Sequence, residues 1–141
     1  MKILFAVDGS PACLRALDAL IARLGWFAEK PSIHLVYVHP AVPYARAAAY
    51  AGKERVQGHY DEDAEVALTP AREVCQAKGV GFETVKLVGE AAPEIVRHAA
   101  DSGYDLLAMG TRGHNAVASL FVGSVAQKVI ASSTVPVLLL R

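Results

Sequence analysis

Cysteine is scarce in this chain. Cys13 and Cys75 are its two thiols, and each falls inside a helix-like pattern. They read as small buried apolar residues rather than as a disulfide or a thiolate metal site. An excess of one charge is also missing: fourteen Lys and Arg balance fourteen Asp and Glu, for a formal net charge of zero. Without a basic surplus there is nothing to neutralise a phosphate backbone, so nucleic acid is excluded as the expected partner. Nor is there a polybasic patch for a membrane surface. No stretch reaches the roughly 18 apolar residues of a membrane span. The opening MKILFAVDGS holds a short apolar run ended by an aspartate, not the longer run and small-residue cleavage site of a signal peptide. The expected location is the cytoplasm. Repeats and low-complexity tails are absent too.

What is present is apolar sequence cut into short pieces. The chain has 141 residues, 53% of them hydrophobic, which suits one domain over 1–141 built around a sheet covered on both faces. Five apolar runs alternate with four helix-like segments. Strands are expected at Lys2–Val7, Ser32–His39, Phe82–Val88, Tyr104–Met109 and Val135–Leu140, with Phe82–Val88 alternating enough to lie near a sheet edge. Ser10 is a good N-cap for a first helix, with Pro11 at its first position, Leu14, Leu17, Leu20, Ile21 and Leu24 at helical spacing, and Gly25 as a stop. A small-residue stretch from Ala41 to Gly58 has no sharp period and reads as a loop. Tyr60–Lys78 reads as a long helix with Val66, Leu68 and Val74 apolar, kinked or delayed at Pro70. Shorter helices follow at Ala91–Ala100 and Ser124–Ala131. This order calls for an α/β fold, a single open five-stranded parallel sheet with helices on both faces. In such sheets ligands bind beyond the carboxyl ends of the strands. That singles out Asp8-Gly9-Ser10, Val38-His39 and everything after Met109.

The chemistry is concentrated in Gly110–Ser124, GTRGHNAVASLFVGS. Gly110 and Gly113 permit close backbone approaches that a Cβ would block. Free N–H groups of Gly123, Ser124 and Val125 at a helix start, with the helix dipole, are expected to form an anion site. Ser124 adds a hydroxyl for a phosphate oxygen or a metal ion, and Arg112 is placed as a charged clamp. These features indicate a polyphosphate without specifying which.

The spacing glycine, two residues, glycine, nine residues, glycine-serine, carried by Gly110, Gly113, Gly123 and Ser124, resembles the nucleotide loop of the ATP-binding universal stress proteins. The likeness runs through the chain. Val7-Asp8-Gly9-Ser10 resembles the family's start, Gly110-Thr111-Arg112-Gly113 its GS/TRG, Gly123-Ser124-Val125-Ala126 its GSVA, and Val135-Pro136-Val137-Leu138 its closing strand. The resemblance implies a Rossmann-like fold of the adenine nucleotide alpha hydrolase kind. It also implies ATP (or ADP or AMP) as ligand, with Mg²⁺ or Mn²⁺ held through the phosphates. Asp8 would lie by the ribose, the Val38 backbone by the adenine, Gly110 at the sugar, and Gly113, Gly123 and Ser124 at the phosphates. A homodimer through the last strand is implied as well. The chain departs from the family pattern in the Ala-rich stretch around 41–51 and in Pro40 directly after the second strand.

Several residues carry two readings. Asp8 ends a strand at the expected crevice and is assigned to the ligand over a simple turn role. Arg112 and Ser119 stand equally as ligand contacts or solvated loop residues. The five histidines are scattered: His34 and His39 point to opposite faces of one strand, His59 and His98 fall in helices, and His114 reads as an exposed loop residue beside the phosphates. No metal cluster is expected among them, and Asp61-Glu62-Asp63 reads as a solvated helix N-terminus. No GKS or GKT occurs, the first strand is not followed by a dinucleotide fingerprint, and Asp8 lacks the second acid of a receiver domain. Two functions survive. One is a dimeric ATP-binding regulatory module that signals stress to a protein partner; the other is a slow ATPase using the same loop. A structural dimer that has lost its ligand is a weaker third. No catalytic residue is assigned.

Overall fold

Ile3, Leu4 and Phe5 are completely buried although neighbouring strand residues point to opposite faces. Both faces of the strand that carries them must therefore be covered. The computed structural model, which describes residues 1–41, 53–113 and 122–141, shows how. Strands β1 (Lys2–Ala6), β2 (Ser32–His39), β3 (Phe82–Val88), β4 (Leu106–Gly110) and β5 (Val137–Leu140) form one sheet in the order β3-β2-β1-β4-β5. Every pairing is parallel, with Phe5 opposite Leu35 on one side and Ala108 on the other. The edge position inferred for β3 is correct. Helices α1 (Pro11–Ile21), α2 (Lys53–Ala77), α3 (Ala91–Asp101) and α4 (Ser124–Ser132) connect the strands.

The side-chain alternation sorts the core into two layers. Ile3, Phe5, Ile33, Leu35 and Ala108 face α1 and α2, where Leu17, Leu20, Leu68 and Cys75 cover them. Leu4, Val36, Val38, Leu107 and Met109 face α3 and α4, against Ile95, Ala99, Ala126 and Val129. Each fully buried Leu, Ile or Phe contributes about 1.5–3 kcal/mol. The strand order reverses between β1 and β4, so a crevice must open beyond their carboxyl ends.

Local signals explain most element boundaries. The Ser10 hydroxyl accepts the Cys13 N–H at 3.1 Å, capping α1 with Pro11 at its first position. Helix α1 stops at Ile21, ahead of Gly25, and Leu24–Trp26 makes a short 3₁₀ turn instead. Two strands also start later than the hydrophobic runs suggest, β4 at Leu106 and β5 at Val137. Tyr104 leaves the ladder to pack edge-on against His34 at 5.2 Å.

Helix α2 departs most from expectation. It begins at Lys53 and runs without interruption through Pro70. Its buried stripe is Ala64, Ala67, Leu68, Ala71 and Cys75, whereas Val66 is 75% exposed. That stripe keeps i, i+3, i+4, i+7 spacing, but in small residues. Residues 42–52, the rest of the small-residue stretch, lie outside the described part.

Candidate functional site

A cleft of about 380 Å³ opens beyond the ends of β1, β2 and β4. Of the residues singled out in the sequence, Asp8, Val38, Gly110, Thr111, Arg112, Gly113, Gly123, Ser124 and Val125 all line it. The sheet brings together three segments some thirty to seventy positions apart in the chain. His114 and Ser119 lie outside the described residues.

The glycine positions have distinct physical reasons. A Cβ on Gly113 would stand 2.3 Å from the Asp8 carboxylate oxygen Oδ2, so any other residue there would have to turn that carboxylate aside or lift the loop. Asp8 is further fixed by accepting the Ser10 N–H at 2.9 Å through Oδ1. A Cβ on Gly110 would come within 3.4 Å of Ala16 Cβ and 3.7 Å of Cys13 Cα, which places α1 directly behind the floor of the cleft.

Thr111 and Gly123 join the two ends of the loop. The Gly123 N–H donates to the Thr111 carbonyl at 2.7 Å, and the Thr111 N–H donates to the Leu140 carbonyl at 2.8 Å. The expectation of a free Gly123 N–H is therefore corrected: that donor closes the loop. Gly123 acts as N-cap of α4 without a side-chain cap, and its carbonyl accepts from Gln127 at 3.0 Å. The first-turn N–H groups of Ser124, Val125 and Ala126 consequently have no intrahelical partner, and the positive end of the helix dipole faces the cleft.

Two predicted site residues do other work. Gly9 does not line the cleft; it adopts φ +78°, and a Cβ there would meet the Ala67 backbone at 3.2 Å where α2 crosses over it. Ser10 is buried, also lies off the cleft, and its hydroxyl is occupied in capping α1.

The sequence reading missed the apolar wall. Tyr37, Pro40, Ala91, Ile95, Met109 and Ala126 also line the cleft. Cys13 lies at its floor, and burial pushes that thiol up to about 12, so it is protonated at neutral pH and donates to the Ala6 carbonyl at 3.5 Å. Burial likewise raises Tyr37, with Asp63 and Asp8 adding to the shift. Both cysteines are free and buried, as inferred. The cleft thus has an apolar side, a carboxylate at its centre and a dipole with backbone donors at its far end.

Three residues that looked scattered in the sequence come together in the structure. Among the described residues His39, His59 and Asp63 converge, with one potential ligand atom from each lying within 4.8 Å of the others. The longer α2 is the reason: it puts Asp61-Glu62-Asp63 two turns inside the helix, where Asp63 meets the end of β2 and Asp61 pairs with Lys86 at 3.4 Å. No helix among the described residues is long and apolar enough to cross a membrane.

Comparison with known proteins agrees with this geometry. The sequence profile of the Universal stress protein family matches residues 1–141. Universal stress protein YxiE of Bacillus subtilis is 33% identical over 149 aligned positions, covering 99% of this chain and 98% of that protein. Universal stress protein Slr1230 of Synechocystis is 34% identical over 140 residues, 99% of this chain, but the chain spans only 42% of that relative's length. Among solved structures, a universal stress protein in complex with cAMP superimposes with a TM-score of 0.63 at 25% identity, covering 100% of this chain and 96% of the other.

Proposed function

The chain belongs to the universal stress protein family, and from that membership we propose that its cleft binds an adenine nucleotide, ATP foremost, in a homodimeric module that reports nucleotide state to a protein partner in the cytoplasm. The observation that carries the reading is the loop closure at α4. Thr111 and Gly123 are tied together so that the first-turn donors of Ser124, Val125 and Ala126 face a cleft already lined by Gly110, Gly113 and Arg112. A chain of phosphates fits that end, because backbone donors, a helix dipole and a guanidinium all favour anionic oxygen.

The remaining groups suit the rest of a nucleotide. Asp8 is an acceptor-only carboxylate, unsuited to a phosphate and suited to sugar hydroxyls. Val38, Tyr37, Pro40 and Ile95 give an apolar slot for a base, and a volume of about 380 Å³ falls within the usual range of small-ligand sites. Mg²⁺ or Mn²⁺ would be held through the phosphates, with the Ser124 hydroxyl at the start of α4 as an available oxygen donor. The cAMP complex of a relative supports an adenine ligand of this general class.

Binding is favoured over turnover. Among the described lining residues Asp8 is the only carboxylate and no histidine lines the cleft, while Asp8 is already engaged with Ser10 and packed under Gly113. A general base would have to reach the attacked phosphate directly or through one water. The test is to denature freshly purified protein, separate the released nucleotide by HPLC, and titrate stripped protein with ATP, ADP, AMP and cAMP by calorimetry, with and without Mg²⁺. Carried ATP or micromolar ATP binding is the expected result. No carried nucleotide and no heat with any of the four would overturn it.

A further inference from the structure

Helix α2 carries His59 and Asp63 one turn apart, on the same face. That face lies over the last residue of β2, His39, whose side chain is only 9% exposed. His39 Nδ1 is 2.6 Å from the Pro40 carbonyl. A carbonyl oxygen only accepts, so Nδ1 holds the ring hydrogen and a neutral His39 presents a bare lone pair at Nε2. That lone pair faces the Asp63 carboxylate oxygen Oδ2 at 2.8 Å. Two acceptors do not face each other at this distance unless a cation lies between them. That cation is a proton shared by the pair or a metal ion.

Three features select the metal. First, a third donor reaches the same point: His59 Nε2 lies 3.5 Å from the same Asp63 oxygen. An ion pair between His39 and Asp63 needs no such donor. Second, tetrahedral zinc with bonds of about 2.1 Å sets neighbouring ligand atoms about 3.4 Å apart. The His59–Asp63 separation of 3.5 Å matches that value, the His39–Asp63 separation of 2.8 Å must widen to admit the ion, and all three ligand atoms lie within 4.8 Å of one another. Third, His39 is fixed as a ligating histidine usually is, with its other ring nitrogen donating to a backbone carbonyl. Tyr60 packs on the ring at 4.5 Å, with Tyr37 at 6.5 Å.

We propose that His39 Nε2, His59 Nε2 and Asp63 Oδ2 form a transition-metal site of the zinc class that fastens α2 to the end of β2. Two imidazoles and one carboxylate suit Zn²⁺, Co²⁺, Ni²⁺ or Cu²⁺, and are poor ligands for Mg²⁺, which asks for six oxygens. The site is separate from the nucleotide cleft, since none of its three ligands lines it. It nevertheless borders the cleft, because Tyr37, Val38 and Pro40 flank His39 in the chain and line the apolar wall. Metal at this point would hold that wall against α2.

The test uses the full chain, stripped with a chelator and freed of it by dialysis. Calorimetric titration with Zn²⁺ is expected to give one ion per chain, and Co²⁺ to give the intense visible bands of a tetrahedral complex. His59→Ala and Asp63→Asn are each expected to weaken Zn²⁺ by more than the roughly 10- to 100-fold that losing an outer partner costs, and to abolish the Co²⁺ bands. His59 is well exposed, so circular dichroism should show His59→Ala folded. A tenfold excess of Mg²⁺ should leave Zn²⁺ binding unchanged. Absence of Zn²⁺ binding to the parent chain would reduce the cluster to a hydrogen-bonded His39–Asp63 pair. Zn²⁺ binding that survives both substitutions would place the metal elsewhere. Either result overturns the proposal.

Discussion

The residue with the sharpest consequence is Gly113. Its Cα lies so close to the Asp8 carboxylate that a Cβ would stand 2.3 Å from Oδ2. In Gly113→Val either the loop lifts or Asp8 turns away, and both change the cleft while leaving the core layers untouched. Nucleotide affinity is expected to fall at least tenfold, about 1.4 kcal/mol or more, with a thermal midpoint close to the parent's. Unchanged affinity would remove the loop from the binding site. This glycine was legible in the sequence through its spacing, because glycine marks close approaches wherever they occur. Gly9 shows the limit of that signal, since its close approach is to Ala67 of α2 and not to a ligand. Tyr37, Pro40 and Ile95 were illegible for the opposite reason: an apolar residue beside a cleft looks in sequence like any core residue. His98 supplies a prediction of another kind. Its Nε2 is buried without a hydrogen-bond partner. Burial foremost, then Arg97 and Lys2, pushes it below its ordinary value of 6.5, against the opposing pull of Asp101. The folded chain therefore binds fewer protons at this site than the unfolded chain. The resulting stability is fully present above about pH 6.5 and is lost as the pH falls below it. Urea midpoints measured at about pH 7.5 and about pH 5.5 should drop toward acid, and His98→Leu should make that drop smaller. An equal drop in the variant would assign the acid sensitivity to another group.

At the scale of elements, patterns with a strong local cause were read correctly and patterns decided by distant contacts were not. Ser10 followed by Pro11 is a helix start that needs nothing beyond itself, and α1 begins there. The five strands were found because a sheet covered on both faces demands continuous apolar runs, which nothing else in a short domain requires. Helix α2 was misjudged at its start because its buried stripe is made mostly of alanine, which carries little hydrophobic contrast. Those alanines let the helix approach the backbone at Gly9, a contact that local sequence does not reveal. Pro70 has no N–H to offer the Val66 carbonyl, and its ring crowds that carbonyl. The helix tolerates it because Val66 lies on the exposed side, where a carbonyl can turn toward solvent, while Leu68, Ala71 and Cys75 keep the opposite side packed. The proline should therefore still cost stability. Pro70→Ala is expected to raise unfolding free energy by about 1–3 kcal/mol, read from the urea midpoint, with nucleotide and metal binding unchanged. A neutral or destabilising outcome would mean that the proline ring makes packing contacts worth as much as the missing hydrogen bond.

At the scale of the whole molecule, β5 ends the sheet and decides what the chain does with its free edge. The Pro136 carbonyl accepts from Leu107 at 2.9 Å and the Leu140 carbonyl from Thr111 at 2.8 Å. These residues point their backbone groups at β4, so strand alternation turns those of Val137 and Leu139 outward. A short apolar edge strand with outward donors and acceptors, Val-Leu-Leu-Leu, is a template for another strand. The simplest partner is a second copy of β5 related by a two-fold axis, which satisfies both edges with one self-complementary contact. Sedimentation of the parent chain should give twice the chain mass. Leu139→Pro removes one outward N–H without touching a bond to β4, and should sediment as a monomer. Leu139→Ala shortens the side chain but keeps the N–H, and should remain a dimer. A monomeric parent would exclude this edge as the interface. The same strand reaches the ligand site, because the Leu140 carbonyl holds Thr111, and Thr111 in turn holds Gly123 at the start of α4. Two consecutive hydrogen bonds therefore join the free sheet edge to the start of α4 at the cleft. If they transmit strain, ATP must change the dimer dissociation constant by the same factor by which dimerisation changes ATP affinity, because coupling between two binding equilibria is reciprocal. Measuring the dimer constant with and without saturating ATP, and ATP affinity in the parent and in Leu139→Pro, yields both factors. Equal factors different from one would make the Thr111–Leu140 bond the route by which bound nucleotide is reported to the dimer. Factors of one would make the edge and the cleft independent.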